Sequence, residues 1–511
     1  MATQPYLPRR FATGVSGLAL ILAGLGPPAS AQEASRPMSI TSSVSTADSL
    51  VGDSKQTLTD WRAARYGLFI HWGLYSKAEG QWKGSWVATE GPWKGKGFTE
   101  FLQLQARVPV REYEDFARGF RPAGFDADAW ARAARAAGMR YLVFTTKHHE
   151  GFAMFRSASS GFNIVDHSGF AFDPVAELAA ACRRHGLLFG VYYSLGRDWH
   201  DPDAPTDWPT KGGRSNTWDY PDEDAKVFDR YFRRKVLPQV AELLTNYGPI
   251  PIFWFDTPEK ITAGQSRELR ELIRRLQPGC IVNDRVGNRL GDFETHEQTV
   301  PGATLAGPWE SCATLGKNWG YHPRDLDWKT PEQIVRLLTD VVAKDGNLLF
   351  NIGPRGDGTF PPGAEARLKT VGDWLAVNGE AVYGARAWRV VGETRAAAPA
   401  KAASAGGTAV DVATVDTVRD EISRSQEADL RYTVGADGAL YVIVRSWPEP
   451  VVTAKALGLE NLQGRRIAGV TLIGSADTIR WSQGNALLDL EFPALRPGVI
   501  PVWAFRVTFL E

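Results

Sequence analysis

Cysteine is scarce in this chain of 511 residues, and its scarcity excludes several kinds of protein. Only Cys182, Cys280 and Cys312 occur, so at most one disulfide bond can form. No two of them form a Cys-x-x-Cys pair, the spacing that zinc sites and thiol redox sites commonly use. We therefore expect the fold to be stabilised by buried apolar surface, which the 43% of hydrophobic residues can supply.

The chain also lacks an excess of charge of either sign. Its 58 lysine and arginine residues are balanced by 58 aspartate and glutamate residues. This balance lacks the basic footprint of proteins that bind nucleic acids or anionic membranes. Beyond the N-terminal region, no apolar run is long enough to cross a bilayer. We therefore expect neither a nucleic-acid partner nor a membrane span.

The first residues have the pattern of a secretory signal peptide. Arg9 and Arg10 supply positive charge, residues 11–25 are apolar and small, and residues 29–31 read Ala-Ser-Ala, a cleavage pattern. The sequence predicts a signal peptide over residues 1–31 and a flexible, Ser/Thr-rich segment over residues 32–55. The mature protein is then expected to be exported to the periplasm or the medium.

Eight apolar runs alternate with helical patterns between Trp61 and Trp388. In chain order they read YGLFIHWG, YLVFTTKHH, LLFGVYYS, PIFWFDT, CIVNDR, DFETHEQ, WESC and NLLFNIGP. Strands that alternate with helices pair in parallel, and eight of them are typical of a (β/α)8 barrel. We predict an α/β fold with a TIM-like barrel over residues 56–388. The barrel is expected to be irregular, because the connection between Arg285 and Trp309 is too short for a full helix.

Three of the helical patterns have recognisable ends. Asp173 is an N-cap followed by a proline, and Gly186 closes that helix. A capping box begins at Thr330. A third helix is predicted to open at Ser266 and to stop before Pro278.

The last part of the chain has a different pattern. A low-complexity loop near residues 395–410 is followed by short runs of alternating apolar and polar residues with turn signals between them. These runs predict an antiparallel β-sandwich over residues 389–511.

Polar side chains stand at the expected end of every barrel strand. In a (β/α)8 barrel the carboxyl ends of the strands meet around one pocket, where active sites lie. Unpaired charges within an apolar wall are costly, so core packing does not account for this pattern. The strand-end residues are His71, His148, His149, Tyr193, Asp256, Arg285, Glu297, Glu310 and Asn351.

The adjacent histidines His148 and His149 are two of only eight in the chain. Just beyond the last rung of a strand the chain bends, so both rings can face the barrel mouth and donate N–H groups to ligand hydroxyls. The alternative is a structural pair with one ring buried on a backbone carbonyl. Adjacent residues seldom bind one ion in good geometry, and no His-x-x-x-His spacing is present, so we predict no metal site.

Two carboxylates follow neighbouring strands. Asp256 is either a helix N-cap, because Pro258 follows closely, or a catalytic carboxylate. A cation at Arg285 would keep Asp256 ionised, and Glu297 supplies a second carboxylate one strand further on. Two carboxylates beside hydroxyl-binding side chains are typical of glycoside hydrolysis, in which one is ionised and the other is protonated.

Six segments, in order, resemble the α-L-fucosidases of glycoside hydrolase family 29: ARYGLFIHWGLYS, YLVFTTKHHEGFAMF, VYYSLGRDW, FWFD, VNDRVG and NLLFNIGPRGDGTFP. The resemblance implies a retaining hydrolase with Asp256 as nucleophile. It implies no cofactor and a fucosylated glycan as substrate. Glu100 and Phe101 align with a Glu-Trp pair that contacts the sugar in the family, so an indole N–H is lost here. The residues expected to bind the sugar are His71, Glu100, Phe101, His148, His149, Tyr193, Arg285 and Trp319.

The acid/base varies in position within the family. The arrangement NDRVG…DFETHEQ resembles the subgroup in which a glutamate shortly after the Asn-Asp-Arg motif serves, which favours Glu297. Glu310 is the runner-up, and Glu294 is a third candidate whose side chain strand alternation should turn away. Arg289 stands where a subgroup strict for branched glycans has glutamate, which favours broad tolerance of the leaving group.

Two other functions fit the same residues. One is a non-catalytic fucose-binding protein on this scaffold, since a fold alone does not guarantee activity. The other is a hydrolase of a galactose-configured sugar, since fucose resembles galactose of opposite hand that lacks the 6-hydroxyl and so ends in a methyl group. An apolar wall formed by Trp82, Phe101 or Trp319 would favour the methyl group. The sequence leaves the oligomeric state open.

Overall fold

The computed structural model describes residues 53–87, 98–205, 216–394, 429–445, 451–492 and 500–510. The predicted signal peptide and the predicted low-complexity loop near residues 395–410 lie outside the described residues. Most of the predicted flexible segment over residues 32–55 lies outside them as well.

The first part of the described chain forms a parallel barrel. Eight of its strands make one parallel sheet in the order β7-β6-β5-β4-β1-β10-β9-β8. A bridge between Asn283 and Phe293 joins the two outer strands and closes the ring. All eight predicted runs are strands of this sheet, which confirms the TIM-like barrel. The strands, including a small β2–β3 hairpin, are β1 (Tyr66–Ile70), β2 (Gln81–Trp82), β3 (Ser85–Trp86), β4 (Tyr141–Lys147), β5 (Leu188–Ser194), β6 (Ile252–Asp256), β7 (Ile281–Val282), β8 (Glu294–Glu297), β9 (Trp309–Thr314) and β10 (Asn347–Ile352).

Two of the three predicted helix starts are confirmed. Asp173 accepts hydrogen bonds from two backbone N–H groups of α6, and Thr330 forms the predicted capping box of α10. The prediction that Ser266 opens a helix was wrong by one turn, because Thr262 and Gln265 form a capping box further upstream. The helices are α1 (Ser54–Ala64), α2 (Leu74–Ala78), α3 (Leu102–Gln105), α4 (Val110–Arg118), α5 (Ala127–Ala136), α6 (Pro174–Arg184), α7 (Phe228–Tyr231), α8 (Leu237–Asn246), α9 (Ala263–Leu276), α10 (Pro331–Ala343) and α11 (Pro362–Asn378).

The irregular part of the barrel lies where the sequence predicted it. Within the fully described segment from Arg285 to Trp309, the chain makes a single 3-10 turn and strand β8 but no α-helix. Gly291 allows this close return, since a Cβ there would lie 2.4 Å from the Asp284 backbone. This short connection therefore places Glu297 at the barrel mouth.

Side chains fill the barrel interior. Strands of a parallel barrel are buried on both faces, so they read as nearly continuous apolar runs. Large rings pack against one another inside, with the Phe69 centroid 5.1 Å from Trp254 and the Tyr192 centroid 5.5 Å from Trp254. Because the interior is packed, a ligand is expected to enter only at the mouth, above these rings.

The C-terminal part forms two antiparallel sheets, which confirms the predicted β-sandwich. Among the described residues the sheet orders are β11-β12-β13-β18-β15 and β14-β17-β16. The sandwich packs on the barrel helices, where Trp374 of α11 donates its indole N–H to Val502 across 2.8 Å. The strands are β11 (Arg386–Glu393), β12 (Leu430–Val434), β13 (Leu440–Val444), β14 (Val451–Ala454), β15 (Ile467–Leu472), β16 (Trp481–Gln483), β17 (Leu488–Glu491) and β18 (Trp503–Phe509).

The three cysteines are buried free thiols. Among the described residues, no helix has both the length and the apolar character needed to cross a membrane.

Candidate active site

The carboxyl ends of the barrel strands bring most of the predicted residues together. His71 follows β1, His148 and His149 follow β4, Asp256 ends β6, and Arg285 lies in the turn after β7. These side chains contact one another or shared neighbours. The same rim also carries Glu297, Trp319 and Asn351.

Asp256 is held by three hydrogen bonds. Its Oδ1 accepts from Arg285 across 2.6 Å and from the Thr257 backbone N–H across 2.9 Å, and its Oδ2 accepts from the Tyr192 hydroxyl across 2.7 Å. Burial alone would raise the pKa of this carboxyl, but the Arg285 charge and the Tyr192 hydroxyl outweigh burial and lower the pKa. Asp256 is therefore ionised and fixed in orientation.

The backbone after Asp256 is strained. Thr257 adopts a φ of 55°, which β-branched residues rarely do. This turn directs the Thr257 N–H back onto Asp256. Such strain is typical of functional sites, where the surrounding structure enforces it.

Arg285 connects the two predicted catalytic carboxylates. Its second terminal nitrogen donates to Glu297 Oε2 across 2.8 Å, while the first holds Asp256. The guanidinium lies 5.0 Å from the centre of the Trp254 ring. Strands β6 and β8 and the turn after β7 thus place two carboxylates around one cation at the barrel mouth.

Tyr193, which the sequence analysis expects to bind the sugar, does not lie in this pocket. Its hydroxyl donates to Gln239 of α8 across 2.7 Å, on the outer face of the barrel. Tyr192 faces inward instead, because neighbouring residues of a strand point to opposite faces. The register of β5 against β6 shows this: Tyr193 is in register with Phe255, whereas Ser194 is in register with the inward-facing Asp256.

The hydrogen-bond partners of His71 and His149 show which ring nitrogen carries the hydrogen. His71 Nδ1 lies 2.7 Å from Asn351 Oδ1, an atom that can only accept, so Nδ1 carries the hydrogen. His149 Nδ1 lies 2.7 Å from Ser194 Oγ, and Ser194 donates its own hydrogen to the Arg197 carbonyl, so His149 Nδ1 is also a donor. Burial keeps the pKa of His71 well below normal. Its Nε2 is therefore an acceptor.

The predicted sugar-contacting pair lies beside these rings. Glu100 is buried and accepts from the Gly320 backbone N–H across 3.1 Å, and burial raises its pKa to about 8. The Phe101 ring centre lies 5.4 Å from that of His149. Trp319 lies 4.9 Å from His71, centre to centre. Phe101 and Trp319 thus contribute apolar surface next to the histidines.

Trp82 lies elsewhere: its ring packs 5.1 Å from Phe116 of α4. It is therefore not part of the expected apolar wall.

Glu310 was predicted to end its strand, and that prediction was wrong. It is the second residue of β9, which continues to Thr314, so it lies deep in the barrel below the mouth. It accepts hydrogen bonds from the Tyr141 hydroxyl across 2.6 Å and from the Trp254 indole across 3.0 Å. Burial raises its pKa to about 7. Its hydrogen bonds to Tyr141 and Trp254 therefore place the Glu310 carboxyl in the packed interior of the barrel.

Among the described residues, no group of three or more His, Cys, Asp or Glu side chains is arranged to hold a metal ion.

Comparison with known proteins shows the family to which the chain belongs. A family model described as alpha-L-fucosidase matches residues 34–380. The plasma alpha-L-fucosidase of Homo sapiens is 34% identical over 362 residues, which cover 67% of this chain and 72% of the human protein. The tissue alpha-L-fucosidase of Rattus norvegicus is 29% identical over 471 residues, covering 87% of this chain and 88% of the rat protein.

Solved structures are similar over the same regions. The alpha-L-fucosidase from Vibrio sp. strain EJY3 has a TM-score of 0.74 and 30% identity, covering 90% of this chain and 74% of that one. Alpha-L-fucosidase AlfC from Lactobacillus casei, solved with its α-L-fucose product, has a TM-score of 0.58 and 36% identity, covering 63% of this chain and 98% of that one. With a family model that matches residues 34–380 and relatives of this similarity, the chain belongs to the alpha-L-fucosidases, a family of glycoside hydrolases.

Proposed function

We propose that this enzyme cleaves terminal α-L-fucosyl linkages with retention of configuration, with Asp256 as nucleophile and Glu297 as acid/base. The observation that carries the proposal is the sharing of one guanidinium, that of Arg285, by Asp256 at 2.6 Å and Glu297 at 2.8 Å. Retaining glycosidases place two carboxyl groups about 5–5.5 Å apart around the scissile bond. We expect this separation when the sugar is bound.

The reaction proceeds in two displacements. Asp256 attacks the anomeric carbon and forms a covalent fucosyl ester, while Glu297 gives its proton to the leaving oxygen. Glu297 then takes a proton from water, which attacks the same carbon, and Asp256 leaves as a carboxylate. The hydrogen bonds from Arg285 and Tyr192 keep Asp256 oriented and ionised for the first step.

Substrate binding must also rearrange one ion pair. A general acid carries a proton when the bond is cleaved, and a protonated carboxyl does not pair with a guanidinium. We therefore expect the sugar to separate Glu297 from Arg285 while Arg285 remains on Asp256.

The apolar wall favours the fucose methyl group. Phe101 and Trp319 border the histidines that we propose bind the sugar hydroxyls. A galactoside would place a hydroxymethyl group against this surface and leave its hydroxyl without a partner. Rates on 4-nitrophenyl α-L-fucoside and on the matching galactoside test this preference. Equal rates would contradict it.

The nucleophile is tested by chemical rescue. Asp256→Gly should be nearly inactive on 4-nitrophenyl α-L-fucopyranoside, because it cannot form the ester. Added azide should occupy the vacated space and restore turnover, giving a β-fucosyl azide. Activity that persists in Asp256→Gly without azide would rule out Asp256 as the nucleophile.

We also propose that the enzyme is exported after removal of residues 1–31. Support comes from the arginine pair, the apolar segment and the Ala-Ser-Ala pattern at the N-terminus. N-terminal sequencing of the protein recovered from cell fractions tests this proposal, which predicts a start near Gln32. A start at Met1 in the cytoplasmic fraction would contradict it.

A further inference from the structure

Glu150 completes the His-His-Glu sequence after β4, and the mechanism above does not use it. Its side chain is only 1% exposed. Neither of its carboxyl oxygens has a side-chain hydrogen-bond partner among the described residues, although the backbone N–H groups of Leu74 and of Glu150 itself lie close enough to lower its pKa in part. A buried polar group without a partner is uncommon and costs stability, so the carboxyl needs an explanation.

A second unsatisfied atom close to Glu150 belongs to a pocket histidine. Glu150 Oε2 lies 3.6 Å from His148 Nδ1, and that nitrogen likewise has no hydrogen-bond partner among the described residues. The separation is slightly too long for a hydrogen bond, so a bond between the two atoms requires a small rotation of one side chain. Pairing these two atoms satisfies both buried groups at once.

The protonation of the pair decides what His148 offers to the pocket. Burial lowers the pKa of His148 to about 3, so the ring is neutral and carries one hydrogen. Burial raises the pKa of Glu150 to about 8, so at neutral pH the carboxyl carries a proton. A protonated carboxyl facing a neutral imidazole donates to its Nδ1, which leaves the ring hydrogen on Nε2.

We propose that Glu150 is a positioning residue that donates a hydrogen bond to His148 Nδ1 and thereby makes His148 Nε2 an N–H donor to the sugar. His71, by contrast, donates its Nδ1 hydrogen to Asn351 and presents an accepting Nε2. The pocket then offers the sugar hydroxyls both a donor and an acceptor from similar rings. This inference rests on the proposed role of His148 in holding the sugar.

The surroundings of Glu150 favour its neutral form. Tyr75 of α2 and Tyr113 of α4 face it with phenol groups. The Asp198 carboxylate and the buried Glu100 disfavour a further negative charge, whereas Lys147 opposes them. Room for the carboxyl comes from Gly73, since a Cβ there would lie 2.9 Å from Glu150 Oε1.

Two substitutions separate hydrogen-bond donation from charge. Glu150→Gln keeps an N–H donor of the same size, so kcat/KM at pH 7 should stay within about threefold of wild type. Glu150→Leu removes the donor, so KM for 4-nitrophenyl α-L-fucopyranoside should rise about tenfold, with a smaller change in kcat. A Glu150→Gln variant as impaired as Glu150→Leu would overturn the proposal.

The pH profile is the more specific test. Above pH 8 the wild-type carboxyl loses its proton and can only accept, so the ring hydrogen moves to Nδ1 and Nε2 no longer donates. KM should therefore rise above pH 8 in the wild type but not in Glu150→Gln. Glu100 and Lys147, whose pKa values also lie near 8, are present in both proteins. An alkaline rise of equal size in both would overturn the proposal.

The tautomer can be observed directly by NMR of the imidazole nitrogens. The chain has only eight histidines, and the signal that is lost in His148→Ala identifies His148. At pH 7 this ring should be the Nε2–H form in the wild type and in Glu150→Gln. An Nδ1–H form in the wild type would overturn the proposal even if the Glu150→Leu variant fails to fold.

Two control variants, His148→Ala and Glu242→Gln, distinguish a failure of this inference from a failure of the proposed site. If His148→Ala retains normal kcat and KM, the site itself is wrong, and the inference falls with it. If His148→Ala is impaired while Glu150→Gln keeps the wild-type alkaline rise, only the role of Glu150 is wrong. Glu242 is a matched control, since it accepts from Ser157 and two backbone N–H groups away from the pocket. Glu242→Gln should leave KM and the pH profile unchanged.

Discussion

Arg285 donates to Asp256 across 2.6 Å, and this contact organises the mouth of the barrel. The same guanidinium holds Glu297 and lies over the Trp254 ring. A carboxylate buried next to apolar rings would otherwise be protonated and unreactive. The contact therefore decides both the charge and the direction of the proposed nucleophile.

Removal of this cation should weaken catalysis and shift its pH dependence. Without the guanidinium, burial is no longer outweighed, so the pKa of Asp256 rises and the ionised fraction falls at any given acidic pH. Arg285→Met should lower kcat/KM by about 100-fold or more, and the acid limb of its pH profile should move to higher pH. Arg267→Met, on the exposed face of α9, should change neither. Profiles of kcat/KM against pH with a nitrophenyl fucoside measure this effect.

The two tyrosines of β5 provide a matched pair. Tyr192→Phe removes a hydrogen bond to ionised Asp256, so kcat/KM should fall about tenfold or more, with an acid limb at higher pH. Tyr193→Phe removes the bonds to Gln239 and to the Tyr231 hydroxyl, both away from Asp256, so kinetics should be unchanged and the free energy of unfolding should fall by about 1–3 kcal/mol. Steady-state kinetics and urea unfolding check both. If Tyr193→Phe lost activity while Tyr192→Phe kept it, the prediction that Tyr193 binds the sugar would be restored.

The acid/base role separates Glu297 from Glu310. Glu297→Ala should react slowly with natural glycosides but still form the fucosyl ester from the activated nitrophenyl substrate. Azide should then increase its turnover, because azide needs no general base. Glu310→Gln should lose stability without gaining rate from azide, since its carboxyl is bonded to Tyr141 and Trp254. Azide acceleration in Glu310→Gln would reverse the assignment.

Behind the histidine turn, Asp198 neutralises two buried lysines. Its Oδ2 lies 3.0 Å from Lys147 Nζ and 2.7 Å from Lys235 Nζ. Asp198→Asn leaves both cations unpaired and should lower the free energy of unfolding by about 3–5 kcal/mol, as urea unfolding can measure. Asp373→Asn breaks an exposed pair with Lys369 and should have little effect.

The pH dependence of this cluster has a defined sign. Although burial opposes ionisation, the two lysines hold the pKa of Asp198 well below normal. Its stabilisation is therefore present above the unfolded value of roughly 4 and is lost as the pH falls through the folded value. The stability difference between wild type and Asp198→Asn should shrink in acid. A difference that grows in acid would contradict this reasoning.

Much of the fold was predictable because its signals are local. Apolar runs, N-caps at Asp173 and Thr330 and the short link before Trp309 each depend on a few consecutive residues. The start of α9 was misplaced because Ser266 is itself a good capping residue. In the folded protein its hydroxyl bonds the Val286 carbonyl instead, a contact that the local sequence does not reveal.

The site was less predictable where two adjacent residues could exchange roles. Tyr192 and Tyr193 are chemically identical, and only their register against β6 decides which one reaches Asp256. Glu310 follows a tryptophan just as a strand-end carboxylate would. Its depth depends on where β9 begins relative to β10, which pairs Glu310 with the first residue of that strand.

The sequence by itself determined the family, the order of the strands along the chain and most of the ionisable residues gathered at the barrel mouth. The tertiary structure alone decided which faces these residues occupy, which partner each carboxyl has and where the histidine protons lie. The physical reason is that strand periodicity and capping are interactions within a few residues. Side-chain orientation, burial and protonation depend instead on neighbours from distant strands, and only folding brings those neighbours into contact.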